Sequence, residues 1–287
     1  MRALGTWGTR STWRSRAGVL LGAAPMVAVV VGATLAPEVA GPTLSASMSV
    51  LALGDSIPAG YDCPGCTPFP NLLGSALGGA TGPTVPVTNL GVGGWTSTDL
   101  LTSVTAGPAS NDRTDTDIAH SDVITVTIGA NDYYSGLDEI ADDTCGGPED
   151  LDCVAGVDAQ VAANLGGVLD EISALRGGAP TTVLVTGYWD VFPGGGVALA
   201  QYGPAFIASS AVLTARANAV IAATATAHGD TYVDLGGALA AAEQPAGDVT
   251  ALLTSDGDHL DQTGDDLAVQ ALYAAATTRT ATAPSAG

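Results

Sequence analysis

The residues with the clearest capacity for chemistry are one serine, three histidines and a few polar loop residues. The chain holds His120, His228 and His259 only, so a serine nucleophile must draw its general base from these three. His120 stands just before a β-rich run, at the amino edge of any sheet that run joins. His228 sits at a predicted helix end, where the dipole favours a cation and a cap. His259 lies in the polar segment Ser255-Asp256-Gly257-Asp258-His259-Leu260, with carboxylates one and three positions earlier. Asp256 and Asp258 are the two carboxylates beside it, although an immediate neighbour such as Asp258 points its side chain elsewhere. The candidate nucleophile is Ser56 in Gly54-Asp55-Ser56. Pro58 stands where a Gly-x-Ser-x-Gly elbow has its second glycine, which argues against a standard α/β-hydrolase.

Two further segments could stabilise an oxyanion. Asn89-Leu90-Gly91-Val92-Gly93-Gly94 offers backbone N–H groups that a ligand can approach closely, and Gly129-Ala130-Asn131-Asp132 offers a neutral side-chain amide. The first is not a dinucleotide loop, because Thr96 replaces the third glycine of Gly-x-Gly-x-x-Gly. Asp55 and Asp132 read as loop braces that accept backbone N–H bonds.

Positioning these groups requires a sheet. Five β-rich runs recur: Ser49 to Leu53, Val85 to Leu90, Val123 to Ile128, Thr182 to Thr186, and Thr231 to Leu235. The third and fourth are dense in β-branched residues, as strands buried on both faces should be. Between them Val154, Val157, Val161, Leu165, Val168, Ile172 and Leu175 recur in steps of three and four, the stripe of an amphipathic helix. Pro204 opens a second helix, stopped at His228-Gly229, and a last one starts near Gly264. Strands alternating with helices predict an α/β fold with a parallel, doubly wound sheet, whose ligands bind beyond the carboxyl ends of the strands. Ser56, Gly94, Asn131 and His259 all fall in such loops.

Composition excludes other classes. The chain has 287 residues and a net charge of −21, and all eight of its cations are arginine. Without lysine there is no Walker phosphate loop, Schiff base or pyridoxal site. The acidity argues against nucleic acid as a partner. Arg2, Arg10, Arg14 and Arg16 precede an apolar run from Ala17 to Ala36, the layout of a secretory signal, with an uncleaved signal anchor as the alternative. The expected organisation is a leader over 1–47, one domain over 48–277 and a disordered tail over 278–287. No other stretch reads as a membrane span. The acidic clusters near 112–117, 138–143 and 149–152 lack the alternating spacing of a calcium loop. In an exported chain the four cysteines should form disulfides; three connectivities exist, and the local one, Cys63–Cys66 with Cys145–Cys153, is the most economical. Cys63-Pro-Gly-Cys66 could also be a thiol-exchange motif, but such a motif opens a helix and Pro68 follows.

Taken together, the Gly54-Asp55-Ser56, Asn89-to-glycine, Gly129-Ala130-Asn131-Asp132 and Asp256-Gly257-Asp258-His259 segments resemble the four blocks of the SGNH/GDSL hydrolase superfamily, in order, over Ser49 to Tyr273. The resemblance implies a three-layer αβα, flavodoxin-like fold with a five-stranded sheet, and a secreted esterase or lipase. It implies Ser56 as nucleophile, His259 as base and then acid, and Asp256 as orienting carboxylate. It implies an oxyanion hole from the Ser56 N–H, the Gly94 N–H and the Asn131 amide. The second block commonly reads Ser-Gly, so Gly93 stays a rival to Gly94. The last commonly has proline after the histidine, where this chain has Leu260. Such a site needs no metal or cofactor. The expected partner is a small-molecule or lipid ester met by a monomer, with no stable membrane anchoring once the leader is removed. Tyr188, Trp189 and Phe192 follow the fourth strand and either line an acyl pocket or cover the core edge. The competing function is an exported carbohydrate- or lipid-binding module that keeps the fold without catalysis.

Overall fold

The computed structural model describes residues 48–80, 82–107, 113–242 and 249–282. The expected leader lies outside the described residues. All five β-rich runs form strands: β1 (Val50–Gly54), β2 (Val87–Gly91), β3 (Val123–Thr127), β4 (Thr182–Thr186) and β5 (Thr231–Val233). They make one sheet in the order β2-β1-β3-β4-β5, and every pairing is parallel. β1 and β3 are central and buried along their whole length, which is why they read as unbroken apolar and β-branched runs. β2, at one edge, is only partly buried.

Among the described residues, ten α-helices connect and cover the sheet. In chain order they are α1 (Ser56–Ala59), α2 (Phe69–Gly78), α3 (Ser97–Thr105), α4 (Thr114–His120), α5 (Leu137–Ala141), α6 (Val157–Arg176), α7 (Gly195–Tyr202), α8 (Pro204–Ala227), α9 (Leu235–Ala242) and α10 (Gln262–Thr282). α2, α9 and α10 pack together, while α3, α4, α6 and α8 form a separate packed group; α2 and α10 also meet the strands, as does α8. The result is the three-layer αβα arrangement. The periodic stripe expected on α6 is the buried one, with Val161, Leu165, Val168 and Ile172 all in the core.

Three expectations are corrected. α8 is long and apolar enough to cross a membrane, with a mean hydropathy of 1.5, contrary to the reading that only the leader is. Its buried face (Phe206, Leu213, Ala217, Ile221) belongs to the core, as in a helix packed on a sheet. The fifth strand ends at Val233 because Leu235 already begins α9. The last helix extends to Thr282, past the expected start of the tail at Thr278, and 283–287 lie outside the described residues.

Both disulfides have the local connectivity, Cys63–Cys66 and Cys145–Cys153. The first helix after Cys63–Cys66 begins at Phe69, so the pair does not open a helix as a thiol-exchange motif would.

Candidate active site

The loops at the carboxyl ends of the strands converge around Ser56. β1 ends at Gly54 with φ +143, and a Cβ there would fall 1.9 Å from the Thr127 carbonyl oxygen on β3. Only glycine lets the two central strands approach so closely. The chain then turns directly into α1, whose first residue is Ser56. Asp55 caps this short helix by accepting the Ile57 N–H at 3.0 Å, and its other oxygen accepts the Tyr188 hydroxyl at 2.5 Å. Burial pushes the Asp55 carboxyl up to about 7, against the lowering effect of these two hydrogen bonds. The Ser56 N–H stands at the helix start, where N–H groups lack an intrahelical acceptor.

The loop after β2 closes over this turn. Asn89 donates from its amide to the Pro58 carbonyl at 2.5 Å and accepts the Gly91 N–H at 3.0 Å. The Trp95 N–H bonds the Val92 carbonyl, making a tight turn that contains both candidate glycines. Among the described residues neither the Gly93 nor the Gly94 N–H meets a protein acceptor. Gly94 adopts φ +80, and a Cβ there would meet nothing within 4 Å. A Cβ on Gly93 would lie 3.9 Å from the Ser56 Cβ. Gly93 thus lies beside Ser56, while Gly94 is open on the same turn.

After β3, Asn131 donates its amide to the Trp95 carbonyl at 2.9 Å, which ties it to the glycine turn and leaves its second N–H free for a ligand. Asp132 accepts the Ser97 N–H at 2.8 Å and the Ser97 hydroxyl at 2.6 Å. Asp55 and Asp132 thus brace loops through backbone N–H groups.

His259 sits on a closed turn. Leu253 and Leu260 form an antiparallel bridge, and the Thr254 N–H donates to the His259 carbonyl at 2.8 Å. Gly257 provides the tip at φ +76. Asp256 Oδ2 lies 2.6 Å from His259 Nδ1. Its Oδ1 accepts the Thr254 hydroxyl at 2.6 Å, the Asp258 N–H at 2.9 Å and the His259 N–H at 3.1 Å. Burial pushes the Asp256 carboxyl up, but these donors and the imidazole outweigh it and hold it well below the usual carboxylate range. The rival carboxylate, Asp258, turns away and accepts the Tyr134 hydroxyl at 3.1 Å, while its carbonyl takes the Trp189 indole N–H at 3.0 Å. Burial raises the Asp258 carboxyl.

With Nδ1 committed to Asp256, the buried His259 Nε2 is left with no hydrogen-bond partner among the described residues. A buried polar atom without a partner is costly unless something is meant to meet it. The Tyr61 ring packs on the His259 ring at 5.1 Å, and a Cβ at Gly93 would touch both Tyr61 (3.3 Å) and Ser56. This contact chain brings the serine loop and the histidine loop to one place. His120 and His228 are elsewhere: the Nδ1–H of each donates to a helix-end carbonyl, Thr116 and Thr224 respectively, and His228 Nε2 also faces Asp170 at 3.3 Å.

The family model for the GDSL-like lipase/acylhydrolase family matches residues 52–267. The chain belongs to that family. No curated protein matches it significantly. Solved structures similar to this GDSL hydrolase include a lipase from a goat rumen metagenome, with 16% identity, a TM-score of 0.62 and coverage of 80% of this chain and 97% of that one. An extracellular lipase from Streptomyces rimosus has 21% identity and a TM-score of 0.56, covering 81% and 99%. A catalytic mutant of an acetylxylan esterase from Geobacillus stearothermophilus has 16% identity and a TM-score of 0.53, covering 79% and 93%. At these identities the likenesses carry the fold.

Sequence reasoning missed Thr254, Tyr61 and the role of Tyr188 as a partner of Asp55. Thr254 had a local signal, a hydroxyl two residues before an aspartate. Tyr188 meets Asp55 across a separation of 133 residues, and no local pattern marks that. A cleft of about 410 Å³ does exist away from this site, at the ends of α6 and α8 and the start of β4, lined by Arg176, His228 and Asp170. It lies at the amino edge of the sheet, where Arg176 is spent on the Ala119 and Pro180 carbonyls, and it holds none of the groups described above.

Proposed function

We propose that this GDSL hydrolase is a secreted serine esterase or lipase that cleaves carboxylic esters through an acyl-enzyme on Ser56. The single observation that carries this reading is the His259–Asp256 pair. Its Nδ1 is locked on a carboxylate, and its Nε2 is buried and free, in the same contact cluster as Ser56. A neutral imidazole fixed in that tautomer is a general base for a serine hydroxyl.

Ser56 Oγ attacks the ester carbonyl as His259 Nε2 takes its proton. The resulting oxyanion is held by the N–H groups of Ser56 and Gly94 and by the Asn131 amide. The imidazolium, stabilised by Asp256, then gives the proton to the departing alcohol. Water repeats the sequence on the acyl-enzyme and releases the acid. Every donor is neutral, so the site needs no cofactor and no lysine.

The enzyme works as a monomer on small-molecule or lipid esters, free of nucleic acid and of stable membrane anchoring after its leader is removed; the two disulfides are compatible with export. Its structural neighbours include lipases and an acetylxylan esterase, so long-chain, short-chain and acetyl esters all belong in the assay. The test is a nitrophenyl ester panel of increasing acyl length, run beside Ser56→Ala. Turnover lost in Ser56→Ala is the expected result. Equal hydrolysis by both proteins would overturn the assignment, and no hydrolysis by the wild type would leave the exported binding module.

A further inference from the structure

Most aromatic side chains near the site are spent on structure. Tyr188 and Phe192 are buried, and Trp189 is hydrogen-bonded to the catalytic turn, so the loop after β4 covers the core and braces His259. Tyr61 is different. It is 59% exposed, yet its ring lies 5.1 Å from the His259 ring and within contact of Gly93, next to Ser56. An exposed aromatic side chain ordinarily moves freely. This one is fixed at both ends of its loop: the Tyr61 N–H donates to the Ser56 carbonyl at 3.1 Å, and the Cys63–Cys66 disulfide follows directly. Beyond it, the Thr67 N–H donates to the Gln262 side chain at 2.8 Å, at the start of the helix that follows His259. Gly60 at φ +68 and Asp62 at φ +55 turn the chain on either side, so that the ring stands against the imidazole.

The side of the ester it faces follows from the chemistry. His259 must hand its proton to the leaving oxygen, so the alcohol part of the substrate sits beside the imidazole. A ring packed on that imidazole therefore borders the alcohol part. We propose that Tyr61 is a specificity-determining residue that forms a stacking wall for the alcohol part of the substrate, selecting esters of planar aryl alcohols over alkyl ones. This rests on the ester-hydrolase reading given above.

The experiment holds the acyl group constant as butyrate and varies the alcohol: ethyl, phenyl and naphthyl. The ratio of kcat/KM between Tyr61→Ala and wild type cancels the intrinsic reactivity of each ester and reports acylation only. Loss of one aromatic stacking contact should lower this ratio about 3–10-fold for naphthyl butyrate, less for phenyl and least for ethyl. Tyr61→Phe, which keeps the ring, should retain the wild-type order. An equal loss across the three alcohols would mean that Tyr61 only shields His259, and in a companion series of phenyl esters of increasing acyl length, a loss that tracks acyl length would put the ring on the other side; either overturns the proposal. Ethyl butyrate hydrolysis by the wild type, abolished in Ser56→Ala, tests the ester-hydrolase reading by itself.

Discussion

Asp55 is adjacent to Ser56, fully buried, and hydrogen-bonded only by neutral donors, which makes Asp55→Asn an informative substitution. Burial moves its carboxyl from 3.8 to about 7, so the folded protein binds this proton more tightly than the unfolded chain. A raised carboxyl stabilises the fold below the unfolded value, and that advantage drains away as pH climbs from about 4 toward 7. At about 1.36 kcal/mol per pH unit the full difference is roughly 4 kcal/mol, of which about 3 kcal/mol is lost between pH 5 and pH 8. Asparagine keeps the Oδ1 acceptor for Ile57 N–H and carries no charge; the Tyr188 hydroxyl rotates to accept from its amide. The stability of Asp55→Asn relative to wild type should thus improve by about 3 kcal/mol from pH 5 to pH 8. Urea unfolding of both proteins at the two pH values measures it, and the buried Asp190 and Asp265, raised to about 6 and about 7, cancel because both proteins contain them. A stability difference that is the same at both pH values would refute the reasoning.

Three further outcomes are expected. Asn131→Ala should lower kcat by about 10²-fold or more with a smaller change in KM, since the amide is worth most when the oxyanion forms; steady-state kinetics on a nitrophenyl ester checks it. Thr254→Val removes a hydroxyl 2.6 Å from Asp256 Oδ1 and should cost about tenfold in kcat, less than Asp256→Asn; equal rates for Thr254→Val and wild type would show that the turn holds Asp256 unaided. Gly54→Ala must fit a methyl 1.9 Å from the Thr127 oxygen at φ +143 and should lose at least about 4 kcal/mol, read as loss of the folded state by circular dichroism.

The sheet was legible because its strands are self-announcing. β3 and β4 are β-branched runs whose composition follows from burial on both faces, and the loops after β1, β2, β3 and β5 carry residues with no packing reason to be there. α2 and α3 were not visible: α2 is short and opens on Pro68 and Pro70, and α3 is a run of threonine and serine held by its Thr96–Asp99 capping box. The pairing of His259 with Asp256 was readable, since a separation of three residues fits one turn. What packs around that turn was not. Trp189 reaches the Asp258 carbonyl across 69 residues, and the aromatic loop after β4 could equally have lined a pocket until its burial was known. Tyr61 escaped for the same reason: its meaning depends on His259, at the other end of the chain.

The charge of the chain bears directly on how the site works. Four carboxylates stand in the loops of the candidate site, Asp55, Asp132, Asp256 and Asp258, and no lysine is available to offset them. Each is instead answered by neutral donors: Asp132 by Ser97, Asp256 by Thr254 and two N–H groups, Asp258 by Tyr134, Asp55 by Ile57 and Tyr188. Their effects differ. Asp256 is surrounded by enough donors to stay ionised, as stabilising an imidazolium requires. Asp55 has only two and is fully buried, so near neutral pH it is often protonated and, on the proposed mechanism, would add less repulsion beside the oxyanion. On the proposed mechanism, two carboxylates with opposite shifts, one kept charged behind the histidine and one partly discharged beside the serine, would let a strongly acidic protein stabilise negative charge with backbone and amide N–H groups alone.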